Sequence, residues 1–282
     1  MSGRPLWITG AGGLIGGWLL RTTRAVELGG SVAGLTREQL DLTDFPKVRE
    51  EFRRQNPQLV IHCAALSRSP ECQAHPALAR KINVEATVVL AELAADIPFV
   101  FFSSDLVFDG RLGNYVESAA VNPLSVYAET KVIAEQAVLA NPRHTVVRTS
   151  LNCGDSLARG RGFDEQLRQA WRAGHTLRLY TDEFRSPLPA EVTARAVWEL
   201  VAQNKPGLYH VAGSERLSRF QIGQLVATRH PELNPRIEPA SLKEHTGAPR
   251  SPDTSLNCAK AQKLLSFPLP GLTAWFAKSV SL

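Results

Sequence analysis

The chain has 282 residues, of which 44% are apolar and 21% are charged, and its formal net charge is +5 at pH 7. This composition excludes a disordered protein, and the length is enough for a sizeable hydrophobic core. The basic residues are spread along the chain among Glu and Asp, which favours a solvated surface over a nucleic-acid-binding face. The modest basic excess would still suit an anionic cofactor or a nucleotide-linked substrate.

The cysteines and the apolar runs indicate the cellular setting. The four cysteines, Cys63, Cys72, Cys153 and Cys258, show no CxxC spacing, so neither a metal site nor a disulfide framework is indicated. No N-terminal stretch has the pattern of a signal peptide, and no apolar run approaches about 18 residues. We therefore expect a cytoplasmic protein that does not associate with membranes.

Short apolar runs alternate with amphipathic stretches over the first half of the chain, which is typical of a parallel sheet with helices on both faces. Strands are predicted at Leu6–Thr9, Ser31–Leu35, Leu59–Cys63, Phe99–Ser103 and Thr145–Thr149. Helices are predicted at Leu14–Thr23, Phe45–Gln55, Ala77–Ala95 and Ser125–Ala140. Asp44 is the expected N-cap of the second helix, with Pro46 in its first turn.

After about residue 150 the alternation weakens. The further elements predicted are a helix at Phe163–Ala173, a strand at Leu177–Tyr180, a helix at Ala190–Gln203 and a strand at Leu208–Val211. The predicted fold is α/β, a Rossmann-like doubly wound parallel sheet with a smaller, interleaved C-terminal substrate lobe. The larger domain would comprise residues 1–150 and about 188–212, and the smaller lobe residues 151–187 and 213–282.

The first predicted strand runs directly into a glycine-rich turn. Gly10, Gly13 and Gly16 have GxxGxxG spacing, and an apolar helix begins after the second of them. Glycine permits the tight turn and lets the backbone approach a pyrophosphate, while the helix N-terminus supplies N–H groups. This context favours a dinucleotide-binding site over an ordinary tight turn.

The end of the second predicted strand indicates which dinucleotide binds. An acidic residue there would bind the ribose hydroxyls of NAD(H) and disfavour a 2′-phosphate. This chain instead has Gly34, Leu35, Thr36 and Arg37. We therefore predict NADP(H) as the preferred cofactor and NAD(H) as the alternative; the competing interpretation is that Arg37 merely points to solvent.

Tyr127 and Lys131 are separated by four residues within a predicted helix, so they share one helix face. The ammonium would lower the pKa of the phenol and allow proton transfer near neutral pH. Such a pair also occurs by chance on solvated helices. The hydroxyl pair Ser103 and Ser104, at the end of an apolar run, favours the catalytic interpretation.

Gly10–Gly16, Ser103–Ser104 and the Tyr127–Lys131 pair together resemble an extended short-chain dehydrogenase/reductase. Further segments resemble its dTDP-4-dehydrorhamnose reductase branch, namely Phe102–Gly110, Tyr115–Glu117, Asn122–Tyr127, Arg148–Ser150, Pro249–Arg250 and Leu256. The same branch includes the regulatory beta subunit of methionine adenosyltransferase, which is similar to this chain at Val60–Ala65 and at Ser103–Asp105.

The resemblance implies roles for the matching residues. Tyr127 would protonate the developing alkoxide, Lys131 would hold the nicotinamide ribose and lower the pKa of Tyr127, and Ser104 would hydrogen-bond the substrate carbonyl. Asp105 and Leu151 would be further substrate contacts. The implied cofactor-binding residues are Gly10, Gly13, Leu14, Ile15, Gly16, Arg37, Asp41, Leu42, Ala64, Ala65, Leu66, Asn83, Ser103, Tyr127 and Lys131. For Asp41 a helix cap is the alternative, and for Asn83 a structural hydrogen bond. No metal ligand is implied.

Three positions depart from the branch. Leu106 replaces a tyrosine, Leu151 replaces a tryptophan that would stack on the sugar, and Ala128 replaces a glycine. The first two changes bear on the substrate and leave the proton-transfer residues intact.

The leading hypothesis is an NADP(H)-dependent reductase that transfers hydride to a carbonyl, foremost a nucleotide-linked 4-keto-6-deoxy sugar. A second enzyme hypothesis is another sugar-nucleotide epimerase or dehydratase, or a small-ketone reductase, of the same fold. The hypothesis from another class is a non-catalytic NADP-binding regulatory subunit. Neither nucleic acid nor a membrane is expected as a partner, and a homodimer is left open.

Overall fold

The computed structural model describes residues 3–23, 30–157 and 160–278. Its strands are β1 Leu6–Thr9, β2 Val32–Leu35, β3 Leu59–His62, β4 Phe99–Ser104, β5 His144–Thr149, β6 Asn152–Cys153, β7 Thr176–Tyr180, β8 Phe184–Arg185, β9 Leu188–Pro189, β10 Gly207–Val211, β11 Leu217–Ser218 and β12 Arg236–Ala240.

The α-helices are α1 Leu14–Arg21, α2 Phe45–Gln55, α3 Ser69–Ala74, α4 Pro76–Arg80, α5 Ala86–Leu93, α6 Val126–Leu139, α7 Phe163–Arg172, α8 Ala190–Ala202, α9 Arg219–Arg229, α10 Ala259–Gln262 and α11 Leu272–Lys278. A π-helical turn at Lys81–Glu85 joins α4 to α5, and 3₁₀ turns lie at Asp105–Val107, Pro231–Leu233 and Leu242–Glu244.

Six strands form one parallel sheet in the order β10-β5-β4-β3-β1-β2. The chain moves to one side from β1 to β2 and to the other side from β3 onward, so β1 and β3 flank the switch point of the sheet. In sheets of this kind a ligand binds outside the carboxyl ends of the strands at that point. The predicted Rossmann-like α/β fold is confirmed.

Alternate side chains of the buried strands supply two hydrophobic cores, one on each face of the sheet. Ile8 and Ile61 belong to a core that includes Trp198 of α8. Trp7 and Val60, their neighbours in sequence, belong to the opposite core, which includes Phe52 of α2. Helices therefore cover both faces of the sheet.

The five early strand predictions and the predicted helices near α1, α2, α6, α7 and α8 are confirmed to within one or two residues at each end. Asp44 caps α2, as predicted, because its side chain accepts a hydrogen bond from the Lys47 N–H at 3.1 Å. The continuous helix predicted at Ala77–Ala95 is wrong in detail, because the π-helical turn interrupts it. The helices α3 and α9 were not predicted.

A second group of elements packs around its own hydrophobic core beyond β5. The parallel pair β7 and β12 and the antiparallel pair β8 and β11 lie in this group with α7 and α9. Leu167, Trp171, Leu179 and Ile222 form its buried centre. Between β9 and β11 the chain returns to the central sheet, where α8 packs on α1 and β10 pairs with β5. The residue bounds of the two predicted domains stay a prediction.

Candidate active site

The glycine turn lies at the carboxyl end of β1 and cannot accept larger residues at two positions. Gly10 has φ 67°, and a Cβ atom on it would lie 2.7 Å from the Ala64 backbone N atom. A Cβ atom on Gly16 would collide with the Gly10 carbonyl oxygen. Gly13 precedes α1 without a side-chain cap, so N–H groups of the first helical turn remain available to an anion. The turn fits a pyrophosphate.

Arg37 follows β2 and is largely exposed, with 79% of its side-chain surface accessible. Its Nε atom lies 3.4 Å from Asp41 Oδ2. Asp41 Oδ1 accepts hydrogen bonds from the Thr43 N–H and hydroxyl, which together with Arg37 lower the pKa of this carboxyl. The alternative that Asp41 caps a helix is wrong, because Asp44 fills that position. Leu42 packs partly buried beside the α2 core.

Asn83, in the π-helical turn, joins the turn after β3 to helix α6. Its Oδ1 atom accepts from the Leu66 N–H at 2.8 Å, and its Nδ2 donates to the Leu66 carbonyl and to Thr130 Oγ1 at 3.0 Å each. Thr130 Oγ1 donates to the Tyr127 carbonyl at 2.7 Å. The hydrogen bonds of Asn83 agree with a structural role, since this residue links Leu66 to the helix that carries Tyr127.

His62 is a buried member of this region that the sequence analysis did not identify. Its Nδ1 atom lies 2.7 Å from Thr9 Oγ1 and its Nε2 atom 3.0 Å from Thr87 Oγ1. The Thr87 hydroxyl donates its hydrogen to the Asn83 carbonyl, so it accepts from Nε2–H of a neutral imidazole. Burial lowers the pKa of His62 to about 3, with a smaller effect from Lys131. The sequence signal that could have identified it is a histidine at the end of an otherwise apolar strand.

Ser104, Tyr127 and Lys131 lie together at the carboxyl end of β4, and each is at most 9% exposed. Helix α6 begins where Ser125 Oγ accepts from the Ala128 N–H, which places Tyr127 in its first turn. The Lys131 ammonium donates to the Phe102 carbonyl at 2.9 Å and lies 4.5 Å from the Phe101 ring centroid. Its distance to the Tyr127 ring centroid is 5.9 Å.

The expectation that Lys131 lowers the pKa of Tyr127 is wrong for this structure. Burial raises the pKa of Tyr127, the charge of Asp105 raises it further, and a hydrogen bond between the Tyr127 and Ser104 hydroxyls acts in the opposite direction. The ammonium cannot offset burial because it is directed to a backbone carbonyl of β4. Burial lowers the pKa of Lys131 to about 8. Tyr127 is thus a neutral phenol, suited to donating a proton.

Asp105 is 4% exposed, and both of its oxygens accept hydrogen bonds from protein groups. Ser104 Oγ donates to Oδ1 at 3.1 Å, whereas Ser150 Oγ and Thr254 Oγ1 donate to Oδ2 at 2.7 and 2.8 Å. The Arg185 Nε atom lies 3.6 Å from Oδ2. The structure therefore favours a bracing role for Asp105 over the predicted substrate contact.

The other predicted residues differ in their surroundings. Ser103 is buried, and within the described part of the chain its hydroxyl has no hydrogen-bond partner. Leu151 packs against the hydrophobic core of the second group of elements, whereas Leu106 packs in a small cluster with Tyr127 and Cys72. Leu106 thus packs with Tyr127, whereas Leu151 packs with the second group of elements.

Glu183 and the arginines around it were not predicted as site residues. The Glu183 carboxylate is fully buried and accepts from Arg219 at 2.9 Å and from Arg250 at 2.7 and 2.9 Å. Arg185 lies 2.9 Å from the same carboxylate and also faces Asp105. Burial would raise the pKa of Glu183, but the guanidiniums, led by Arg219 and Arg185, lower it to about 2. We call Glu183, Arg185, Arg219 and Arg250 the arginine cluster.

Comparison with known proteins identifies the family. A family described as the RmlD substrate binding domain matches residues 4–280. The chain belongs to this family. It is thereby a member of the dTDP-4-dehydrorhamnose reductase branch of the extended short-chain dehydrogenases/reductases, which are NAD(P)-dependent oxidoreductases. The resemblance inferred from the motifs is confirmed.

Three relatives show the range of the family. The chain is 32% identical to the probable low-salt glycan biosynthesis reductase Agl14 of Haloferax volcanii, over 78% of each chain. It is 30% identical to the dTDP-4-keto-6-deoxy-D-glucose reductase of Streptomyces niveus, over 77% of this chain and 76% of the relative. It is 28% identical to the methionine adenosyltransferase 2 subunit beta of Xenopus laevis, over 93% and 82%.

Solved structures of family members share the fold. A hypothetical dTDP-4-dehydrorhamnose reductase from Sulfolobus tokodaii is 30% identical, with a TM-score of 0.83 and coverage of 95% and 97% of the two chains. The dTDP-4-dehydrorhamnose reductase of Bacillus anthracis, solved in complex with NADP, is 21% identical and has a TM-score of 0.89 over 100% of both chains.

Proposed function

We propose that this protein is an NADP(H)-dependent reductase of a carbonyl compound, foremost a nucleotide-linked 4-keto-6-deoxy sugar. The observation that carries the proposal is the meeting of Ser104, Tyr127 and Lys131 at the edge of the sheet where the glycine turn also lies. Hydroxyl, phenol and ammonium groups are the set that a carbonyl reduction requires beside a dinucleotide.

The bound nicotinamide supplies the hydride in this chemistry. Tyr127, a neutral phenol, would give its proton to the carbonyl oxygen as negative charge develops there. Ser104 would orient that oxygen through its hydroxyl. Lys131, tied to β4 through the Phe102 carbonyl, would hold the nicotinamide ribose. A positioned acid of this kind contributes on the order of 10² to 10⁴ in rate.

The preference for NADP(H) rests on the residues after β2. No carboxylate occupies Gly34–Arg37, and the exposed Arg37 side chain can turn toward a 2′-phosphate. Its loose ion pair with Asp41 would be exchanged for the more highly charged phosphate. NAD(H) stays the alternative cofactor.

A nucleotide-linked substrate is supported by the arginine cluster. Its three guanidiniums surround the single Glu183 carboxylate, which leaves positive charge uncompensated. Arg219 and Arg250 are partly exposed, and both lie over aromatic rings, those of Phe163 and Tyr180. Guanidiniums recognise diphosphates well, and aromatic rings offer apolar faces to a base or sugar. The reductase relative from Streptomyces niveus supports the same substrate class.

The decisive experiment is an NADPH-oxidation assay against a panel of nucleotide-linked 4-keto-6-deoxy sugars, the corresponding free keto sugars and small ketones. The proposal expects turnover with a nucleotide-linked sugar, a much lower rate with the free sugar, and loss of turnover in Tyr127→Phe. Turnover only with small ketones would overturn the substrate assignment. Binding of NADPH without its oxidation by any carbonyl compound would refute the proposal that the protein is a reductase.

A second candidate is a regulatory subunit that binds NADP(H) and a partner enzyme without turnover. The similarity to the Xenopus laevis subunit supports it, because that alignment covers 93% of this chain at 28% identity. Co-purification of the protein with an endogenous methionine adenosyltransferase, together with no NADPH oxidation across the carbonyl panel, would select this candidate.

The predicted location in the cytoplasm and the homodimer are proposals as well. Within the described residues no helix has the length and apolar character to cross a membrane.

A further inference from the structure

The Ser104 hydroxyl has a single hydrogen, and in this structure that hydrogen is directed to Asp105. Ser104 Oγ lies 3.1 Å from Asp105 Oδ1 and accepts from the Leu106 N–H, also at 3.1 Å. A hydroxyl cannot donate to a carboxylate and to a substrate carbonyl at the same time. The hydrogen must therefore turn away from Asp105 when Ser104 hydrogen-bonds a substrate.

The strength with which Asp105 holds this hydrogen depends on its other partners. They come from three places that follow β4 in sequence: Ser150 after β5, Arg185 in β8, and Thr254 near the C-terminus. Each directs a donor or a positive charge to Asp105 Oδ2. Donors to one oxygen of a carboxylate withdraw negative charge from the other and weaken its remaining hydrogen bonds.

Thr254 is held in place independently of this contact. Its side chain is fully buried, and its N–H donates to the Phe184 carbonyl at 3.3 Å. On one side, the Asp253 N–H donates to the Gly110 carbonyl at 3.1 Å, and on the other the Leu256 N–H donates to Ser186 Oγ at 3.2 Å. The segment 251–256 thus connects the loop after Asp105 to the second group of elements.

We propose that Asp105 is a positioning residue for Ser104, and that the hydroxyls of Thr254 and Ser150 tune its hold on the Ser104 hydrogen. The inference rests on the proposed reductase function. It assigns to the C-terminal segment a part in carbonyl reduction, although none of its residues needs to contact the substrate.

The test compares Thr254→Val, which keeps the shape of the side chain and removes the hydroxyl, with Thr254→Ser, which keeps the hydroxyl. Thr254→Val should lower kcat about tenfold, as expected for losing one hydrogen bond to a charged group, with the KM for NADPH unchanged. Thr254→Ser should restore most of the rate. Equal kcat values for wild type and Thr254→Val, or equal losses in both variants, would overturn the inference.

Ser150→Ala provides a second measurement if Thr254→Val does not fold, and the same selective loss of kcat is expected. A readout that needs no turnover is the ¹³Cζ NMR signal of Tyr127, assigned with Tyr127→Phe. Thr254→Val should shift this signal and Thr254→Ser should leave it in place; an unchanged signal in Thr254→Val would count against the inference. If the wild-type protein oxidised no NADPH with any carbonyl compound, only the reductase proposal would be refuted. The NMR comparison would still show whether Thr254 affects the surroundings of Ser104 and Tyr127.

Discussion

The Lys131 ammonium lies 2.9 Å from the Phe102 carbonyl oxygen, so a side chain of α6 is hydrogen-bonded to strand β4. This contact orients the lysine along the strand that carries Ser104 and leaves its ammonium 5.9 Å from the Tyr127 ring centroid. It also keeps a positive charge in a buried position, where the pKa of Lys131 falls from its ordinary value of 10.5 to about 8. Function and stability therefore make opposite demands on this residue.

Lys131→Met should remove most turnover and stabilise the protein. At pH 7 the wild-type ammonium is charged and buried, so its replacement should raise the free energy of unfolding by roughly 1–3 kcal/mol. Because the unfolded chain binds the proton more tightly than the folded one, wild-type stability should increase as pH rises from about 8 to 10.5. Urea unfolding at several pH values would show the increase in wild type only. A variant less stable than wild type at pH 7 would contradict the prediction.

Tyr127→Phe should lower kcat by about 10² to 10⁴ while the Kd for NADPH stays the same. The phenol oxygen supplies the proton, whereas the ring, which packs with Leu106 and Cys72, is preserved. Single-turnover kinetics and NADPH fluorescence titration would separate the two effects. Tyr115→Phe is the matched control, because its hydroxyl bonds to Asp109 and Leu112 outside the catalytic set. Wild-type turnover in Tyr127→Phe would reject the proposed acid.

Arg37→Ala should raise the KM for NADPH about tenfold and leave the KM for NADH nearly unchanged. The reason is that only NADPH carries the 2′-phosphate that the exposed guanidinium can reach. Arg53→Ala, which removes another exposed charge on α2, is the control for a general electrostatic effect. If the preference for NADPH over NADH were the same in wild type and Arg37→Ala, Arg37 would have no part in cofactor selection.

The arginine cluster should make stability depend on acid pH. The pKa of Glu183 is about 2 in the folded protein against an ordinary value of 4.5, so the unfolded chain binds the proton first. The stabilisation is fully present above pH 4.5 and is lost as pH falls toward 2, by about 3 kcal/mol.

Glu183→Gln should flatten this acid limb in urea titrations. It should also lower stability at pH 7 by about 3–5 kcal/mol, because the surrounding guanidiniums would be left buried without their counter-charge. Glu244→Gln is the control, since its ion pair with Arg178 is largely exposed. An acid limb of unchanged slope in Glu183→Gln would show that the cluster does not contribute.

Local patterns were sufficient for much of the fold and for part of the candidate site. The strand, glycine turn and helix around Gly10–Gly16 are consecutive in sequence, and so are the cap, phenol and ammonium of α6. Periodicity predicts such elements because each of them places apolar side chains toward the core at a regular spacing along the chain. The π-helical turn escaped this reasoning; Asn83 lies in it and is hydrogen-bonded to Leu66 and Thr130, which are distant in sequence.

The sequence by itself determined most of the strands and helices around the central sheet, and it predicted the glycine turn as a phosphate site and Ser104, Tyr127 and Lys131 as proton-transfer residues, because neighbouring residues encode these patterns. Only the tertiary structure decided the surroundings of those residues. Asp105, Ser150, Arg185 and Thr254 meet across as many as 149 positions of the chain. The pKa of Tyr127 is raised rather than lowered because burial and the direction of Lys131 are set by packing. Burial and long-range hydrogen bonds arise only when distant segments come together.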